Sequence, residues 1–141
     1  CGLAIIDPTR ASVSKRFSSL VVRQFLPPRW SFGFAFTTMH HADDPNGQAV
    51  VANFAERCRE EKIPISAIHL GSGYSSRGKR RYVFTWNKDK FPDPQALFTK
   101  LRGMGFPTVA NIKPVLIDDH VDYASVKAAG GFIQDEAAAP V

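Results

Sequence analysis

The residues able to do chemistry fall into three clusters. The first is Thr37, Thr38, Met39, His40 and His41, followed by Asp43 and Asp44. The second is Gly71, Ser72, Gly73, Tyr74, Ser75 and Ser76, and the third is Lys113, Asp118, Asp119 and His120. Imidazoles and carboxylates are metal-ligand types, so His41, Asp43, Asp119 and His120 form one conceivable ligand set. The spacing is not diagnostic of such a site. Adjacent strand side chains point opposite ways, so His40 and His41 do not easily face one ion, and Asp44 precedes Pro45 where a helix cap is needed. Two acids facing each other across a sugar linkage, roughly 5–5.5 Å apart, would instead serve retaining glycoside hydrolysis. Asp43 and Asp119 lie on different segments, and taken singly each reads as a loop or capping acid. Gly71-Ser72-Gly73-Tyr74 lacks the Gly-Lys-Ser/Thr ending of a phosphate loop and the third glycine of a dinucleotide fingerprint. Its glycines allow backbone or ligand to approach a strand end closely. Tyr74 and Trp86 have two open readings, stacking on a sugar or base and aromatic core.

The elements that would position these clusters are short and alternating. Phe32 to Phe36, Ile65 to Leu70 and Thr108 to Ile112 are apolar runs that read as strands. In the first, Phe32, Phe34 and Phe36 share one face while Gly33 and Ala35 leave the other bare. That pattern predicts a strand buried on both sides, with a large partner on the bare face. Tyr82 to Trp86 reads as an extra strand in an excursion after the second run. Asp7-Pro8, Asp44-Pro45 and Asp93-Pro94 read as helix starts, with Asp accepting first-turn amides and Pro standing where no amide is needed. The helices that follow carry single apolar stripes: Val13, Phe17, Leu20 and Val21; then Val50, Val51, Phe54, Ala55 and Cys58; then Leu97, Leu101 and Met104. A last helix is expected over Tyr123 to Ala129, ended by Gly130-Gly131, with Phe132-Ile133 opening another extended piece. Strands alternating with helices imply a parallel sheet, whose carboxyl ends would bring all three clusters to one side.

Composition sets the limits. The chain has 141 residues, 44% apolar and 22% charged, which is globular composition sufficient for one modest domain. A closed (β/α)₈ barrel needs about 250 residues, so the pattern fits either a small open sheet or the first part of a barrel. No apolar run reaches the roughly 20 residues that span a bilayer. Cys1 in place of Met, with no basic-then-apolar segment, reads as a chain without a visible leader whose first residue is not a natural start. Cys1 and Cys58 make no disulfide framework, define no compartment, and leave Cys58 as a small core hydrophobe. The net charge is +5, and the densest basic run, Arg77, Lys79, Arg80 and Arg81, reads as a solvated loop without an accompanying nucleic-acid motif.

Several segments together resemble glycoside hydrolase family 31, the α-glucosidase and α-xylosidase family. Pro27-Pro28-Arg29-Trp30-Ser31-Phe32-Gly33-Phe34 resembles its Pro-Pro-x-Trp-x-x-Gly entry to the first barrel strand. Arg57 with Ile63-Pro64 resembles the lead into the second strand. Phe84-Thr85-Trp86-Asn87 and Phe91-Pro92-Asp93-Pro94 resemble Phe-Thr-Trp-Asp and Phe-Pro-Asp-Pro, and Gly105 with Val109 to Pro114 resembles the third strand. Four such motifs in order, over roughly Val13 to Val141, are specific.

The resemblance implies an α/β fold made of the first three βα units of a (β/α)₈ TIM barrel. Residues 1–26 would be a lead-in helix and linker, and residues 27–141 a partial catalytic barrel. It implies a parent enzyme that is a retaining α-glycosidase or transglycosylase acting on α-linked oligosaccharides, with no cofactor and no metal. The implied partners are an oligosaccharide and the remainder of the barrel, with no nucleic acid and no membrane. The family nucleophile, an Asp in a Trp-x-Asp-x-x-Glu-like motif on the fourth strand, has no counterpart here, so this chain alone is expected to be inactive. Residues implied to line the sugar pocket are Met39, His41, Gly71, Ser72, Tyr74, Leu116 and Asp119. Gly71 and Lys113 stand where the family has Asp, which implies a changed hydroxyl contact and a shifted specificity. Two readings from other classes remain beside this one: a stand-alone carbohydrate-binding or interaction module, and a basic nucleic-acid binder.

Overall fold

The computed structural model describes residues 9–21 and 25–134. Helix α1 (Arg10–Leu20) opens on a capping box in which Thr9 Oγ1 accepts the Ser12 amide at 3.2 Å. The Asp7-Pro8 start expected for it lies outside the described residues. No residue of α1 is buried, and Phe17 and Leu20 are exposed, so its apolar stripe covers nothing among the described residues.

Pro28 caps a 3₁₀ turn over Arg29–Phe32, held by the Ser31 amide and hydroxyl on the Pro28 carbonyl. This turn displaces the first strand from its expected start. Strand β1 runs Ala35–Thr38, and both Phe32 and Phe34 are exposed. The bare face at Gly33 is met by a small group rather than a large one. A Cβ on Gly33 would lie 1.8 Å from Ser66 Oγ, and the Ser66 amide bonds the Phe34 carbonyl.

Helix α2 (Met39–Asp43) follows β1 directly, and α3 (Gly47–Glu60) comes next. The Asp44-Pro45 pair therefore sits between two helices, where Asp44 Oδ1 accepts the Asn46 amide at 2.7 Å. Strand β2 (Ala67–Leu70) leads into an excursion with a hairpin, β3 (Ser76–Arg77) and β4 (Arg80–Arg81). Helix α4 (Pro94–Gly103) starts as expected, with Asp93 accepting the Ala96 amide, and β5 (Thr108–Ala110) and α5 (Tyr123–Ala128) complete the order. Gly130 ends α5 with φ +67, Phe132 packs its ring against Tyr123, and a single β-bridge residue, Gln134, follows Ile133.

Tyr82 to Trp86 is a turn, not a strand. The Thr85 amide and hydroxyl both bond the Tyr82 carbonyl, and Phe84 has φ 62, a left-handed conformation that strands do not use. Tyr82, Val83, Phe84 and Trp86 do not line the faces of one strand. Here they serve different ends: Val83 and Trp86 pack inward and Phe84 stays in solvent.

Strands β1, β2 and β5 form one parallel sheet in the order β1-β2-β5, with Phe36 opposite Ile68, and Ile68 opposite Thr108. Helices α3 and α4 cover one face. Val51, Ala55 and Cys58 from α3 and Leu97 and Leu101 from α4 meet Ile68 and Leu70, with Phe91 and Phe106 filling the ends. Phe36 joins this core by stacking on Phe54 at 4.1 Å. On the opposite face, Ala35, Thr37 and Val109 are exposed. Double-sided burial of the first strand is thus realised on the helix side alone. No helix among the described residues is long and apolar enough to cross a membrane.

Candidate functional site

Parallel pairing brings the ends of β1, β2 and β5 to one side, and with them the three clusters. Thr38 ends β1 and caps α2, its hydroxyl accepting the His40 amide at 3.1 Å. Met39 stays half-exposed at the strand mouth. His41, expected to line the pocket, turns to the helix layer. Its ring lies 5.7 Å from that of Phe36 and 5.0 Å from that of Phe54. Burial, followed by the neighbouring His40 charge, lowers its pKa and favours the neutral ring.

After β2, the two glycines let α2 descend onto the strand end. A Cβ on Gly71 would stand 2.9 Å from both Met39 Cα and the Thr38 carbonyl oxygen. One on Gly73 would stand 2.4 Å from the Ala42 carbonyl carbon. The close approach read from this Gly-x-Gly is therefore made by backbone. Ser72–Ser75 forms a buried 3₁₀ turn in which the Ser72 hydroxyl has no protein partner. Tyr74, assigned to the sugar pocket from sequence, is a core residue. It is 4% exposed, packs on Trp86, and donates its hydroxyl to the Asn111 carbonyl at 2.9 Å. Burial raises its pKa.

After β5, Leu116 is half-buried on the loop and Asp118 is exposed. Asp119 is engaged: Arg80 donates to its carboxylate at 2.7 Å and the Tyr82 hydroxyl at 2.9 Å. His120 is fully buried. Its Nδ1 accepts the Asp122 amide, which leaves the proton on Nε2 to be donated to the Val83 carbonyl at 2.8 Å. Asp43 accepts both guanidinium arms of Arg81, at 2.8 and 3.1 Å, and the Arg81 hydrogen bond holds its carboxyl below the usual range.

The basic run read as a solvated loop is thus the binder of the acids. Composition exposed the charges but could not show that β3 and β4 aim two arginines at loops 38 and 39 residues away in sequence. Neither Asp43 nor Asp119 is left as a free acid. No group of three or more His, Cys, Asp or Glu side chains able to hold a metal gathers among the described residues.

A pH test isolates the Asp43–Arg81 contact. A carboxyl with a depressed folded pKa stabilises above its unfolded value, near 3.9, and that stability is lost as pH falls through the folded value. Arg81→Ala is therefore expected to lower the unfolding midpoint at neutral pH. The difference from the parent should shrink as pH falls below about 4. Urea unfolding of both proteins across pH checks it.

A parallel β-sheet backed by helices, with loops gathered at the strand ends, is the α/β arrangement shared by doubly wound sheets and barrels. Residues 24–140 match the glycosyl hydrolases family 31 TIM-barrel domain. The alpha-xylosidase XylQ of Lactiplantibacillus pentosus is 27% identical over 132 residues, covering 94% of this chain and 17% of that protein. Neutral alpha-glucosidase C of Homo sapiens is 32% identical over 134 residues, covering 94% of this chain and 14% of that protein. Among solved structures, a xylosidase from Aspergillus niger superposes with a TM-score of 0.68 at 22% identity, over 84% of this chain and 16% of that one. A cycloalternan-degrading enzyme from Trueperella pyogenes superposes with a TM-score of 0.61 at 21% identity, over 92% and 21%. The chain belongs to glycoside hydrolase family 31. It spans less than a fifth of the length of those two curated relatives, 17% and 14%.

Proposed function

We propose that this chain is the first three βα units of the catalytic barrel of a retaining α-glycosidase acting on α-linked oligosaccharides, by hydrolysis or by transfer. The barrel would start near Pro27, with residues 1–26 as lead-in. The observation that carries the reading is the family match over residues 24–140 on a sheet whose three parallel strand ends share one side. The outer edges of β1 and β5, the end strands of the three-stranded sheet among the described residues, are where further staves would add, and the exposed face of Ala35, Thr37 and Val109 would then turn to the barrel interior. The nucleophile and the acid/base lie outside this chain in this reading. Met39, Leu116 and Asp119 would contribute to the rim of the sugar site, with Ser72 beneath it.

Specificity would differ from a plain terminal-glucose enzyme. Gly71 offers no carboxylate to outer hydroxyls, and the space a side chain would need is occupied by the Thr38–Met39 backbone. Leaving a buried sugar hydroxyl without its acceptor costs about 1–3 kcal/mol. The deciding assay compares the full-length enzyme with the 141-residue chain on an aryl α-glucoside and a panel of α-linked oligosaccharides. Turnover is expected from the former and none from the latter. Turnover by the chain alone would overturn the placement of the carboxylates. Strong preference of the full-length enzyme for maltose would overturn the specificity reading.

A further inference from the structure

We propose that the excursion between β2 and α4 is a clasp that sets the rim of the sugar site, and that Arg81 and Tyr82 are positioning residues for substrate binding. The inference rests on the glycosidase reading above. Its observations are separate from the family's motifs: one hairpin reaches two different strand-end loops.

Toward β1, Arg81 makes a two-armed contact with Asp43, at 2.8 and 3.1 Å. Asp43 is the last residue of α2, where a negative charge is disfavoured by the helix carbonyls, so local helix chemistry does not account for it. Two parallel donors on one carboxylate fix orientation as well as distance. Helix α2 is also seated from below on Gly73. Met39, at the other end of the same five-residue helix, is therefore carried by the clasp.

Toward β5, Asp119 takes Arg80 at 2.7 Å and the Tyr82 hydroxyl at 2.9 Å. Arg77 lies over the Tyr82 ring, 4.8 Å from its centroid, and His120 ties the same loop to the Val83 carbonyl at 2.8 Å. The foot of the hairpin is anchored in turn. Asn87 donates to the Ser76 carbonyl, and Lys90 reaches the Gly73 carbonyl and Ser76 Oγ. A single surface ion pair would carry little. This arrangement is several contacts converging from one rigid turn onto two loops that have no backbone pairing to each other.

The test uses Arg81→Ala, Arg81→Lys and Tyr82→Phe in the full-length enzyme, with hydrogen exchange and steady-state kinetics on an α-linked oligosaccharide. Arg81→Ala is expected to speed exchange in residues 39–44 by about two- to fivefold, and Tyr82→Phe to do the same in residues 111–122. KM should rise by a comparable factor with kcat held within about twofold, because loosened rims weaken binding before and during reaction alike. Arg81→Lys, which keeps the charge but loses the fork, should fall between. A role in folding alone would lower the active fraction, and so kcat, at unchanged KM. That result, or unchanged exchange in both loops, overturns the proposal. If the full-length enzyme turns over no α-glucoside, the glycosidase reading fails. The exchange data still judge the clasp: faster exchange in the two loops supports it and unchanged exchange overturns it.

Discussion

Gly73→Ala is expected to destabilise the domain by about 3 kcal/mol, at or beyond the top of the usual range for overpacking. The added Cβ would sit 2.4 Å from the Ala42 carbonyl carbon and 2.5 Å from both the Ala42 oxygen and the Asp43 nitrogen. These are backbone atoms of a helix, not the end of a flexible side chain, so relief requires α2 to lift off the strand end. Gly78→Ala supplies the scale. Nothing lies within 4 Å of a Cβ there, and the cost comes only from its φ of +56. Such strain is worth about 1 kcal/mol. Urea unfolding of both variants decides it. A Gly73 variant no less stable than the Gly78 variant would show that α2 moves freely over Gly73. It would also remove the seat on which Met39 and Asp43 depend.

The same close packing explains which features could be read from sequence. The helix starting at Pro94, the three main runs of the sheet and the convergence of their ends followed from capping chemistry and from strand–helix alternation. Those are local or periodic signals. The differences between sequence and fold have one local cause and one that is not local. Phe32 to Phe36 alternates perfectly, yet the Pro28 turn consumes its first half, because a proline that caps a turn fixes the backbone before the aromatic pattern begins. Tyr74 and His41 carry the right chemistry at the right strand ends. Their side chains are nevertheless taken by Trp86 and Asn111 in one case and by Phe36 and Phe54 in the other. A residue type at a strand end names a candidate. Which way it faces depends on partners such as Phe54, 13 residues from His41, and Asn111, 37 residues from Tyr74, which strand or helix periodicity does not encode.

Gly71 shows the converse. From sequence it is an acid that is missing. In the fold it is a position where the Thr38 carbonyl oxygen and Met39 Cα lie 2.9 Å from any Cβ, so its emptiness is structural. Restoring a carboxylate there would displace the β1–α2 turn before it reached a sugar.

Phe91→Ala is expected to cost about 3–5 kcal/mol, as befits a large aromatic removed from a core that cannot close around the gap. Phe91 is 0% exposed. Its ring edge touches the Gly47 position closely enough that a Cβ there would lie 2.7 Å from it, and it packs 5.6 Å from the Trp86 ring. It also stands where the excursion returns to the body of the domain, beside the Gln48 amide on the Lys90 carbonyl and the Gln48 side chain on the Asp93 amide. Phe84→Ala, on an exposed ring of the same excursion, is the control and should change stability by less than about 0.5 kcal/mol. Losing Phe91 should therefore do more than lower the unfolding midpoint. It frees the end of the excursion from α3, so exchange should quicken in residues 76–91 beyond its rise in α4. If the two rise together, the excursion is held by its own hairpin and its arginine contacts, and its anchorage in the core adds nothing to the position of the rim.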